Sequence, residues 1–95
     1  MLFFNKIYNE ELLKKHLKND FENFKQVLLG FIVRLNYSEL YNTELVLNYN
    51  TSKTPITYSI LILRKDKDGQ VINERVLDFT KSGKLISDET YDYNF

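Results

Sequence analysis

Between residues 56 and 93, apolar and polar positions alternate in three runs separated by two glycine turns. ITYSILILR (56–64), QVINERVLDF (70–79) and KLISDETYDY (84–93) are joined by KDKDG and TKSG. Period-two alternation bounded by glycine predicts antiparallel strands in a meander. Ile60 to Leu63 are four apolar residues in a row, so both faces of the first run are apolar at its far end, which predicts a central strand. The run VINERVLDF instead carries Asn73, Glu74 and Arg75 at its middle, which predicts that one face of the sheet is partly wet.

Upstream, TELVLNYN (43–50) alternates in the same way, with Leu45, Leu47 and Tyr49 on one side. NTSKTP (50–55) reads as a connection, and Pro55 marks the boundary before the meander. Residues 9–29 change period. Leu13, Leu17, Phe21, Phe24 and Leu28 follow at spacings of four, four, three and four, a single apolar stripe on a helix. Asn9 is the expected N-cap, and Glu10 and Glu11 sit in the first turn, where carboxylates favour the helix dipole. Asn19-Asp20 could divide the helix, with Asp20 recapping its second half, but the continuous stripe predicts one helix with a bend. Gly30 is the expected C′ residue. Beyond it FIVRLNY (31–37) reads as a strand with Phe31, Val33, Leu35 and Tyr37 on one side, and SELYN (38–42) as a connection. MLFFNKIY is either a short strand that pairs back onto the sheet or an apolar lead-in to the helix, and both readings bury Phe3, Phe4 and Ile7 in part.

The predicted architecture is α+β: one N-terminal helix packed on a four- to five-stranded antiparallel meander, with residues 1–95 forming a single domain. This order of elements resembles the cystatin-like and NTF2-like classes, in which a curved meander wraps one helix. The resemblance lies in element order and not in motifs. The cystatin inhibitory hairpin sequence is absent, so no residue role is carried over, and fold alone does not imply function.

Composition narrows the chemistry. Thirteen Lys and Arg balance thirteen Asp and Glu, and the balance is local, with six against five in residues 1–41 and seven against eight in 42–95. No basic face is gathered for nucleic acid or an anionic membrane. The chain has no cysteine, which excludes disulfides and thiolate chemistry and favours the cytoplasm. The first residues lack a secretory signal, and no run reaches the length of a membrane span. At 95 residues the core is marginal, with no volume for a large buried cofactor.

Candidate sites are few. Asp66-Lys67-Asp68-Gly69 resembles half of a calcium loop, but Gly69 as sixth residue would put Arg64 first and Arg75 twelfth, where negative ligands are required. It reads as a charged hairpin turn. Lys81-Ser82-Gly83-Lys84 joins two strands, so no helix N-terminus receives an anion there. His16, the only histidine, could be oriented by Asp20, but no nucleophile lies near it in sequence. No metal or cofactor is expected. Asp88, Glu89, Asp92, Glu74 and Asp78 could converge as acid/base pairs, and Tyr37, Tyr41, Tyr49 and Tyr58 could form a patch on the sheet. The sharper expectation falls on the last strand, where Tyr91, Tyr93 and Phe95 alternate with Asp92 and Asn94. Tyrosine offers contact area at low entropic cost, and acidic neighbours suit a basic partner. The expected partner-binding residues are Asp88, Glu89, Tyr91, Asp92 and Tyr93.

These residues point to a non-enzymatic, intracellular protein-binding module. The closest functional type is a small inhibitor, such as an immunity protein or a phage anti-defence protein, that blocks another protein sterically. The Asn-, Lys- and Tyr-rich composition fits an AT-rich bacterial or phage source. The alternative is a small NTF2-like dimer that binds a small molecule, or catalyses simple acid/base chemistry, in a pocket between helix and sheet, with Glu74, Arg75 and Asp78 as its polar groups. A homo-oligomer built by edge-strand pairing is the third.

Overall fold

The computed structural model describes residues 2–35 and 42–93. Strand β1 (Lys6–Tyr8) leads into helix α1 (Glu10–Leu17), a single 3-10 turn (Lys18–Asp20) and helix α2 (Phe21–Val33). Strands β2 (Thr43–Asn50), β3 (Thr57–Lys65), β4 (Val71–Phe79) and β5 (Leu85–Asp92) follow. The sheet order is β1-β2-β3-β4-β5. The last four strands form the expected antiparallel meander, and β3 is central. β1 pairs parallel to β2, because a helix intervenes where a hairpin would be needed to reverse direction.

Register assigns each side chain to a face, since cross-strand partners point the same way. Leu45, Leu47 and Tyr49 of β2 lie beside Ile62, Ile60 and Tyr58 of β3, and the last two continue to Leu77 and Phe79 of β4. These are buried against Leu13, Leu17, Phe21, Phe24, Leu28 and Ile32 of the helices, so the predicted stripe is the core. Phe24 meets the edge of Tyr58, and Phe31 that of Phe79. The helices therefore cover the half of this face around Tyr58 and Phe79.

Three local expectations are corrected. Residues 31–33 are helical, not a strand. Ile32 continues the stripe of Phe24 and Leu28 at a pace of four and is fully buried, so tertiary packing overrides the β-branched preference. Gly30 consequently lies inside α2, and a Cβ built on it meets nothing within 4 Å. Asn9 occupies the N-cap position but makes no capping bond. Its backbone is left-handed, with φ 61°, and its side chain donates to the Tyr49 carbonyl at 2.9 Å, as the chain turns from β1 into α1 within one residue. The expected single helix with a bend is present: the 3-10 turn Lys18–Asp20 makes the bend, with Lys18 at φ 52°, and Asp20 supplies no side-chain cap.

Phe4 and Ile7 pack against the core, whereas Phe3 is exposed. The connections behave as their residues require. Asp66 Oδ1 accepts from the backbone N–H of Asp68 and of Gln70, and Gly69 takes φ 83°. At the next turn Thr80 accepts from the Gly83 N–H at 2.9 Å. The Thr54–Pro55 bond before β3 is cis. Among the described residues no helix is long and apolar enough to cross a membrane.

Candidate functional site

The other face of the sheet points away from the helices, and on it Val46 is fully buried and Thr57 and Ser59 nearly so. It carries Glu44, Val46, Asn48 and Asn50 from β2 and Leu63, Leu61, Ser59 and Thr57 from β3. Glu74, Val76 and Asp78 of β4 continue it, and Tyr91, Glu89 and Ser87 of β5 complete it. Two territories divide this open face. Around Asp78 lies a closed polar network: Ser59 donates to Asp78, Ser87 Oγ donates to it at 3.0 Å, and Lys53 Nζ stands 3.7 Å away. Asn50 ties Thr57 and Ser59 into the same network at 2.9 and 2.6 Å. These buried hydroxyls are satisfied from within.

The second territory is apolar and acidic. Leu63, Val71, Glu74 and Tyr93 line a shallow groove of 370 Å³ with Gln70. Tyr91 and Tyr93 are 45% and 41% exposed, far more than the buried Tyr49 and Tyr58. The Tyr93 hydroxyl donates to Glu74 Oε1 at 2.8 Å, and that of Tyr91 donates to Glu89. Donation to a carboxylate raises the pKa of both phenols, because ionisation would set two negative charges together. Glu74 and Glu89 have no cationic partner among the described residues. At the far margin Lys65 Nζ donates to Glu44 at 2.7 Å, which holds the Glu44 carboxyl below its ordinary pKa.

The five residues expected to meet a partner are thus divided by the pleat. Glu89, Tyr91 and Tyr93 share the open face, so the two tyrosines do lie on one side. Asp88 and Asp92 point to the helix side, where Asp88 lies beside Leu77 and Asp92 beside Asn73. There Arg75 grips Asp88 with Nε to Oδ1 at 3.0 Å and Nη2 to Oδ2 at 2.8 Å, and this bond lowers the Asp88 pKa. Asn73 donates to Asp92 at 2.5 Å. With Ile62, Arg64 and Thr90 these side chains line a cleft of 410 Å³ on the part of the helix-side face that the helices leave bare.

The polar groups suggested for a pocket do not converge. Arg75 faces the cleft, whereas Glu74 and Asp78 face the opposite way. The five clustered carboxylates do not meet as acid pairs either, since each is held by a different non-acidic side chain. Among the described residues no three His, Asp or Glu side chains come close enough to hold a metal ion. Tyr49 and Tyr58, expected in a sheet-face patch, are core residues stacked on each other with ring centroids 5.4 Å apart. Tyr37, Tyr41 and Phe95 lie outside the described residues.

His16 has a role that sequence spacing did not reveal. Its ring stacks on Tyr49 at 5.4 Å, and its Nε2 lies 2.9 Å from the Tyr58 hydroxyl. Burial raises the pKa of Tyr58, with a smaller contribution from Tyr49. The contact joins residues 42 positions apart and pins α1 to the sheet. Glu74 was a candidate only as an acid. Its place beside Tyr91 follows from register, which the two glycine turns could have supplied. No protein-family model, curated protein or solved structure matches this chain.

Proposed function

We propose that this chain is a non-enzymatic, cytoplasmic protein-binding module that covers a functional surface of another protein with the open face of its sheet. A small inhibitor of the immunity or anti-defence kind fits this mode of action. One observation carries the reading: two tyrosines, more than two-fifths exposed, stand at an apolar groove lined by Glu74, and neither Glu74 nor the neighbouring Glu89 has a cationic partner among the described residues. Exposed aromatic area beside uncompensated acids suits a partner that presents basic side chains around an apolar anchor. The helix-side core is filled where Leu13, Leu28, Ile32, Leu47, Ile60 and Leu77 are fully buried, and the cleft beside it, between the helices and the β4–β5 turn at Lys81 and Ser82, brings only Asp20 and Lys81 as charged groups.

The cleft at Arg64 and Arg75 supports a second reading, small-molecule binding. Its Asp88 is neutralised by Arg75 and its pKa is lowered, whereas a general acid needs a carboxyl with a raised pKa. That favours recognition over chemistry even there. The deciding experiment is affinity capture from the native host with the wild-type chain, the Tyr91→Ala/Tyr93→Ala variant and a Lys15→Ala control on the exposed side of α1. A protein retained by the first and third and lost by the second supports the reading. Equal recovery by all three refutes it.

A further inference from the structure

Strand β5 ends the sheet, and no described residue pairs with its outer side. It spans eight residues, Leu85–Asp92, whereas the opposite edge, β1, offers three. A long open edge presents a row of unpaired N–H and C=O groups and is a template for another strand. Proteins commonly blunt such edges with lysine or proline. Residues 85–92 contain neither, and they carry only acidic charge: Asp88, Glu89 and Asp92.

Those charges select what can pair there. A second copy would have to add antiparallel about a two-fold axis normal to the sheet, which keeps the two faces distinct. The two registers of longest overlap then set Asp88 opposite its own copy or Glu89 opposite its own copy. Like charges directly opposite destabilise a strand pair, which opposes self-pairing most where Glu89 meets its copy and less where Asp88 does. Arg75 takes up the charge of Asp88 from the inner side. Glu89 on the open face and Asp92 on the helix side remain without a cationic partner among the described residues.

We infer that β5 is an acceptor edge, along which the partner protein lays an extended segment as a sixth strand bearing two basic residues three positions apart, one toward Glu89 and one toward Asp92. This rests on the protein-binding reading and gives it a geometry. Main-chain hydrogen bonds along the edge supply affinity, and side chains alternating between the faces supply specificity. Tyr91, near the end of the same strand, and Tyr93, just beyond it, flank the apolar side chains of the added segment on the open face.

The test uses the full chain, isotopically labelled, and three blocked synthetic heptapeptides. The first has lysines three positions apart among threonine and valine. The second replaces both lysines with glutamate. The third is the lysine peptide N-methylated at every second amide. The lysine peptide is expected to shift the amide resonances of residues 85–92 and slow exchange of alternate amide protons there. The glutamate peptide binds about tenfold or more weakly, from two opposed pairs in place of two attractive ones, and N-methylation abolishes the protection. Glu89→Gln with Asp92→Asn narrows the difference between lysine and glutamate peptides and allows concentration-dependent self-association in sedimentation.

Equal affinity for the lysine and glutamate peptides, or no new amide protection with any peptide, overturns the inference. A captured partner whose complex leaves the β5 amides unprotected overturns strand addition but leaves the protein-binding reading intact. Equal capture by the tyrosine variant fails that reading instead.

Discussion

Gly30→Ala separates two accounts of the segment after residue 29 by the sign of its effect. At a left-handed C′ position, alanine suffers the Cβ–carbonyl clash and destabilises by about 1 kcal/mol. Inside α2, where the structure places Gly30, alanine gains about 0.8–1 kcal/mol of helix propensity. No packing penalty offsets that gain, because the added Cβ meets no atom within 4 Å. At about 4–8 °C per kcal/mol for a domain of this size, Tm should rise by roughly 3–8 °C. Urea denaturation followed by far-ultraviolet circular dichroism should show a higher midpoint at unchanged slope. Gly83→Ala is the internal contrast. Its φ is 85° and its Cβ would stand 3.0 Å from Val27 Cγ1, so it should lose about 1–2 kcal/mol. A lower midpoint for Gly30→Ala would show that α2 stops before Phe31 and that this account of residues 30–33 is wrong.

Other consequences concern the core and the ion pairs. Leu28 is fully buried between α2 and the sheet, so Leu28→Ala should cost about 3–5 kcal/mol, a large share of a stability of about 5–15 kcal/mol. A loss below about 1 kcal/mol in urea would mean that α2 does not dock as described. Asp88 and Glu44 both have carboxyl pKa values lowered in the fold by bonds to Arg75 and Lys65. Their stabilisation is therefore fully present above the unfolded values near 4 and is lost as pH falls through the folded ones. Both pairs are partly solvated, so each contributes about 1 kcal/mol at most. Asp88→Asn should lower stability at pH 7 by roughly that amount and leave it nearly unchanged at pH 2.5, and an equal loss at both values would contradict the linkage.

Much of the fold was legible because periodicity and burial agree. The stripe from Leu13 to Leu28, the alternation in 43–50 and the doubly apolar Ile60–Leu63 run each had one economical way to be buried. Residues 31–33 were misread because Phe31 and Val33 satisfy a period of two while Ile32 satisfies the helical pace. Only the sheet, with Phe79 waiting for Phe31, decides between them. The tail was half legible. Alternation put Tyr91 and Tyr93 on one side, but it also sends Asp88 and Asp92 to the other, so the acidic and aromatic parts do not form a single patch. The Tyr93–Glu74 bond follows from a register that the glycine turns set, whereas the His16–Tyr58 contact depends on helix placement, which no local pattern encodes.

The protein's proposed role turns on its open face meeting another protein. With methyl-labelled chain bound to the captured partner, the resonances of Leu61, Leu63, Val71 and Val76 should shift, while those of Leu12, Val27 and Val33 on the exposed side of the helices stay in place. Shifts confined to Leu12, Val27 and Val33 would contradict it.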